Sequence, residues 1–178
     1  MDEFWVFGYG SLMWNPGFDY EEQVQAQLFG YRRSLCVRSW VHRGTQEHPG
    51  LVLGLDRGGS CRGMAFRVRA EAQDAVLAYL RERELVTHVY LERMLPLSLA
   101  DGRRVRAVAY VIDRRHIQYA GALEIAEAAA IVHAAKGQSG PNDAYVFNTV
   151  THLQAMGIRD QWLEQVVGAV NRLAQRPA

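Results

Sequence analysis

Two features of the sequence have the residue types and spacing to do chemistry. The first is Phe7-Gly8-Tyr9-Gly10-Ser11-Leu12, two glycines around one tyrosine at the end of a short apolar run. Glycines let a backbone turn sharply and let a ligand approach it closely. Successive N–H groups in such a loop can form an anion-binding concavity, with the Ser11 hydroxyl as a further donor. A small zwitterion bearing an α-carboxylate fits that description, and so does a strand-ending turn with no ligand. A side chain at Gly10 would force an unfavourable φ or fill ligand volume. The pattern is not a phosphate loop, because GxxxxGK[ST] is missing.

The second feature is Tyr79-Leu80-Arg81-Glu82-Arg83-Glu84. At about 100° per residue, Glu84 lies about 20° from Leu77 and so extends the apolar face of a helix. Glu82 lies about 200° from Leu80 and faces solvent beside the arginines. A carboxylate carried inward loses hydration, which raises its pKa and suits it to accept a proton near neutrality. The plainer alternative for Glu84 is a helix-end salt bridge with Arg81 or another arginine.

Other candidates carry less. His42, His48, His88, His116, His133 and His152 are scattered, without HExxH or a CxxC partner, so the spacing gives no metal site. Ser11 lacks the GxSxG context of a nucleophile. Cys36 and Cys61 fall in apparent strands and read as core thiols. Arg43, in His42-Arg43-Gly44-Thr45, either binds a substrate carboxylate or braces its own loop. Tyr145 either lends its hydroxyl to a pocket or packs at a helix start. The four tryptophans have no basic stripe beside them, unlike a nucleic-acid stacking surface.

The elements that must position these residues change character along the chain. Phe4–Phe7 is an apolar run ended by glycines, as in a buried strand. Gln25–Leu28 and Ser34–Val37 flank a turn-like Gly30-Tyr31, and Leu51–Leu55 is a further run. Gly63–Arg69 alternates with the period of a half-buried strand. Val89–Leu99 and Arg104–Ile112 join through Asp101-Gly102, a hairpin signal. Ala70–Leu85 suits an amphipathic helix among the strands. Helices follow at Leu123–Ala135, at Ala144–Met156 and at Gln161–Gln175. Asn142 or Asp143, in the breaker loop Gly137–Asp143, is placed to cap the second of these, and Asp160 the third. Strands early and helices late predict an α+β fold with a mixed, barrel-like sheet and packed helices.

The 178 residues suffice for one domain, spanning 1–178, since no linker, repeat or low-complexity tract divides them. A net charge of +1 favours neither nucleic acid nor an anionic membrane as partner. No apolar run approaches the roughly 18 residues of a membrane span, and the start lacks the pattern of a signal peptide. Two cysteines are too few for a disulfide framework, so the expected compartment is the reducing cytoplasm. The sequence sets no oligomeric state.

Trp5-Val6-Phe7-Gly8-Tyr9-Gly10-Ser11-Leu12-Met13-Trp14-Asn15 closely resembles the YGSL motif and flanks of ChaC-type γ-glutamyl cyclotransferases. The resemblance continues through Gly30-Tyr31-Arg32-Arg33, His42-Arg43-Gly44-Thr45, Pro49–Leu53 and Gly59–Arg67. It recurs at Tyr79-Leu80…Arg83-Glu84 and at Gly137–Asn148, in order over nearly the whole chain. It implies the γ-glutamyl cyclotransferase-like fold and an enzyme that converts glutathione to 5-oxoproline and Cys-Gly. It also implies that Glu84, in the YLxxRE context, is the catalytic acid and base. Tyr9, Gly10, Ser11 and Leu12 would bind substrate, with Arg43 and Tyr145 as further binding candidates. The reaction needs no cofactor and no metal, and the only partner implied is the small-molecule substrate. The same reaction on another γ-glutamyl compound, or a non-catalytic regulatory role, are the alternatives. The chain departs from the family pattern at Leu85-Val86-Thr87-His88, where glycines often precede a tyrosine. Ala144 is a second departure, where an acidic residue is frequent. Both positions would border the Cys-Gly half of the substrate.

Overall fold

The computed structural model describes residues 3–176. β1 (Phe4–Gly8) is buried along its whole length, as its unbroken apolar run requires. It pairs antiparallel with β3 (Gly50–Val68), Phe4 opposite Val68 and Gly8 opposite Met64. On its other side it pairs parallel with β5 (Arg104–Ile112), Trp5 opposite Ala107. With β2 (Glu22–Ser39) and β4 (Tyr90–Leu99) these strands close a barrel in the order β1-β3-β2-β4-β5. The β4–β5 hairpin runs from Tyr90 opposite Ile112 to Ser98 opposite Arg104 and turns through Gly102 at φ 93°. The barrel core holds Trp5, Phe7, Leu28, Leu55, Leu97 and Val111, all nearly sealed from solvent.

Two expectations about strands are corrected. Gly30-Tyr31 is no turn: β2 continues through it, with Gly30 at φ 93° inside the strand. A left-handed glycine gives the same sequence signal whether the chain reverses or only bends. Leu51–Leu55 and Gly63–Val68 are likewise parts of one strand, β3, which ends before Arg69.

The helix after β3 is shorter than its pattern. A 3₁₀ turn, Ala70–Ala72, leads into α1 (Gln73–Glu84), whose buried residues are Val76 and Leu80. Complete burial of a leucine such as Leu80 is worth about 1.5–3 kcal/mol and fixes the rotation of the helix. Glu84 is the last helical residue.

The chain divides into two compact units, each drawn from separate stretches. The first takes residues up to Arg33 and Gly54–His116, and the second Ser34–Leu53 and the residues from Ile117 on. In the second, α2 (Ile125–Ala134), α3 (Asn142–Ala155) and α4 (Gln161–Ala174) pack around Ala128, Val132, Val146, Leu153, Leu163 and Val166. The expected loop before α3 carries a two-stranded ribbon, β6 (Lys136–Gly137) with β7 (Gly140–Pro141). Asp160 caps α4 as its sequence suggests, accepting the Leu163 N–H at 3.1 Å. Asn142 does not cap α3. It lies fully buried in the first turn, accepting the Leu51 N–H at 2.8 Å and donating to the Leu51 carbonyl at 2.9 Å.

Candidate active site

β1 delivers Tyr9, Gly10 and Ser11 to the end of the barrel strand, where a 3₁₀ turn, Ser11–Met13, begins. Its first bond runs from the Met13 N–H to the Gly10 carbonyl at 2.9 Å. The Ser11 and Leu12 amides precede that bond and have no acceptor inside the turn. Leu12 and Met13 send their side chains into the core, so Leu12 can offer a ligand only its main chain. The turn folds back tightly: a Cβ on Gly8 would stand 3.1 Å from the Leu12 Cβ. Gly10 has φ −134°, outside the left-handed region, so the expected unfavourable φ there is corrected. The argument from ligand volume stands on its own.

An arginine that was not among the sequence candidates for the site holds this loop. Arg33, 7% exposed, donates through Nε to the Tyr9 carbonyl at 2.7 Å and through Nη2 to the Arg62 carbonyl at 2.7 Å. Gly30-Tyr31-Arg32-Arg33 was legible as a motif, but nothing local marks which arginine turns inward.

At the end of α1, Glu84 follows the buried side of the helix and Glu82 is exposed. Only 19% of the Glu84 side chain meets solvent. Loss of hydration pushes its carboxyl above the usual carboxylate range, and the Arg83 guanidinium opposes that shift in part. The negative end of the helix dipole also disfavours a charge there. Its ion-pair contact, Arg83 Nε at 3.6 Å, is too long for a hydrogen bond. Arg81, the other pairing considered, is held instead by Glu92 through two bonds of 3.0 and 2.9 Å. Those bonds, with one from the Tyr110 hydroxyl at 2.8 Å, keep Glu92 below the ordinary range. Burial, and next the Glu92 carboxylate, push the Tyr110 phenol well up, so it stays a neutral donor. Two carboxylates of one unit are thereby tuned in opposite directions, the pattern that separates a proton acceptor from a fixed charge.

Tyr9, Gly10, Ser11, Leu12 and Glu84 all belong to the first unit, while Arg43 and Tyr145 belong to the second. There Arg43 lies over the Tyr145 ring, 5.5 Å from its centroid, and donates to the Pro141 carbonyl at 3.2 Å. The Tyr145 hydroxyl accepts the Leu53 N–H at 3.0 Å. Both side chains are thus engaged with groups of the second unit. Among the described residues no three His, Cys, Asp or Glu side chains gather as a metal would need. Cys36 and Cys61 are buried and form no disulfide.

A model of the ChaC-like protein family matches residues 4–173. The chain belongs to the ChaC-like family. The glutathione-specific gamma-glutamylcyclotransferase of Escherichia coli K12 is 37% identical to it over 169 residues, covering 95% of this chain and 73% of that protein. The human glutathione-specific gamma-glutamylcyclotransferase 1 is 31% identical over 175 residues, covering 95% and 79%. A crystal structure of a yeast γ-glutamyl cyclotransferase specific to glutathione matches with a TM-score of 0.84 at 21% identity, over 97% of each chain. That likeness is one of fold. In this ChaC-like chain, His88 takes φ 58° directly after α1, a left-handed conformation natural to glycine. No other described non-glycine residue has positive φ.

Proposed function

We propose that this ChaC-like chain is a γ-glutamyl cyclotransferase acting on glutathione, with Glu84 as its general acid and base. The observation that carries the reading is the Glu84 carboxyl itself, mostly withdrawn from water and held at a raised pKa on the unit that bears the Tyr9–Leu12 loop. The named activities of its relatives support the choice of substrate.

In the proposed reaction the γ-glutamyl α-amine attacks its own side-chain amide carbon. A five-membered lactam forms, the C–N bond to cysteine breaks, and 5-oxoproline and Cys-Gly leave. As the α-ammonium becomes the lactam N–H it sheds two protons, and the departing amine gains two as it leaves as the Cys-Gly ammonium. Glu84 accepts and returns protons between the two nitrogens, so no net proton is consumed. The nucleophile belongs to the substrate, so the protein's task is to hold the reactive conformer and move those protons. The loop amides and the Ser11 hydroxyl face the glutamyl carboxylate or the developing oxyanion. This scheme uses no cofactor. A reducing cytoplasm suits two cysteines outside any disulfide and a thiol substrate, and the chain acts as one domain spanning 1–178.

Incubation of purified protein with glutathione tests the reading. Equal amounts of 5-oxoproline and Cys-Gly are expected. Turnover of γ-glutamyl dipeptides at a higher kcat/KM than glutathione would refute the substrate, and no lactam from any of them would refute the reaction.

A further inference from the structure

Tyr79 and Arg83 sit at i and i+4 on α1, one above the other on a single face. The chain that leaves the glycine loop docks on that face. Arg83 Nη2 donates to Ser11 Oγ at 2.9 Å. Its Nη1 donates to the Asn15 carbonyl at 2.8 Å, the Pro16 carbonyl at 3.2 Å and the Tyr79 hydroxyl at 3.2 Å. The next residue, Gly17, has φ 77°, and a Cβ there would run into the Tyr79 hydroxyl. Phe18 then meets the Tyr79 ring edge-on at 6.4 Å between centroids. One guanidinium therefore ties the whole segment to the helix turn that ends in Glu84.

We propose that Arg83 is the positioning residue of this site, fixing the Ser11 hydroxyl as a donor toward substrate and holding the loop in register with Glu84. The inference rests on the function proposed above. Its chemistry follows from donor counting. A guanidinium has no acceptor, so Ser11 Oγ must accept the Arg83 hydrogen, and the single serine hydrogen is left for an oxygen elsewhere. An acceptor such as a carboxylate or an amide carbonyl satisfies it, whereas an ammonium does not. Lysine could supply the charge but not the fork that spans a hydroxyl and two carbonyls.

Arg83 also sets the charge around Glu84. Among the described residues, Arg83 on its own helix acts on Glu84, and the Tyr110 phenol from β5, which stays neutral through the working range, feels it. Loss of the guanidinium therefore raises the Glu84 pKa further. The acid limb of kcat/KM, which needs Glu84 ionised, should move to higher pH.

The test compares wild type with Arg83→Met, Arg83→Lys and Ser11→Ala over a pH series, measuring kcat and KM separately. Arg83→Met should lose about 100-fold in kcat/KM, the scale of a misplaced reactive geometry, with its acid limb displaced upward. Arg83→Lys should keep the wild-type limb and recover only part of the rate. Ser11→Ala should lose rate with the limb unmoved. An Arg83→Met variant within a few-fold of wild type, with its limb unmoved, overturns the proposal. So does an Arg83→Lys variant as impaired as Arg83→Met at the same melting temperature. Carbon-13 NMR titration of the Glu84 carboxyl without substrate separates this inference from the choice of reaction. An upward displacement in Arg83→Met supports the coupling even if glutathione is not turned over, and an unmoved titration refutes it.

Discussion

In its proposed role Glu84 would act in opposite directions on rate and on stability. Replacing it with glutamine keeps the shape and removes the proton acceptor, so Glu84→Gln should fold and lose roughly 10²–10⁴-fold in cyclisation rate. Glu82→Gln, exposed on the same helix, should stay within a few-fold of wild type. The stability effect runs the other way. The folded pKa of Glu84 is raised, so its favourable contribution is complete below the unfolded pKa and is lost as pH rises through the folded one. At neutral pH the ionised side chain therefore opposes folding, and Glu84→Gln should melt at a higher temperature than wild type. The gap should close as pH falls below the usual carboxylate range, where both side chains are neutral. Melting curves at neutral and acid pH decide this. A Glu84→Gln variant that melts lower at neutral pH would mean the carboxylate stabilises its surroundings. At this scale the sequence was informative where a side chain's direction follows from helix phase, as for Glu84 and Glu82. It was silent on Arg83 and Arg33, whose partners Ser11 and Tyr9 lie 72 and 24 residues away.

Elements with purely local causes were legible, and those that depend on distant partners were not. The β1 run, the Asp101-Gly102 hairpin and the Asp160 cap each follow from a few adjacent residues. The length of β2 and β3 does not, because pairing decides whether a glycine ends a strand or bends it. Asn142 has a cap's composition, yet its amide is used by Leu51, 91 residues earlier. The departure at Leu85–His88 acquires a physical meaning here: His88 occupies a left-handed backbone position at the exit of α1. Gly17 offers the sharper test of how an element carries the site. Alanine there meets both a positive φ and the Tyr79 hydroxyl, so Gly17→Ala should cost on the order of 1–2 kcal/mol. The loss should not stop at stability. Displacing Tyr79 loosens the Arg83 fork, so kcat should fall well below wild type at temperatures where the variant is fully folded. Full kcat with a lowered melting temperature would show that the Asn15–Phe18 segment serves packing alone.

For the whole chain, the question is whether the two compact units fold as one. Each is discontinuous in sequence, and the boundaries fall inside strands: between Arg33 and Ser34 in β2, and between Leu53 and Gly54 in β3. Leu35 and Cys36 beyond the first boundary are buried, as are Leu53 and Leu55 around the second. For one unit to melt alone, both strands would have to stop at mid-length. Folding with no populated intermediate is therefore expected if the two units form one cooperative domain. Calorimetry should give one transition whose van't Hoff and calorimetric enthalpies agree, at about 125 kcal/mol for a chain of this size. Tryptophan gives a second reading, since Trp5 belongs to the first unit and Trp162 to the second. Variants that retain one of these two, with the other tryptophans changed to phenylalanine, should each show the same midpoint by fluorescence and by circular dichroism. A fluorescence midpoint that departs from the dichroism midpoint of the same variant would show that the units unfold separately. The strands would then be a covalent link between two domains, not a shared scaffold.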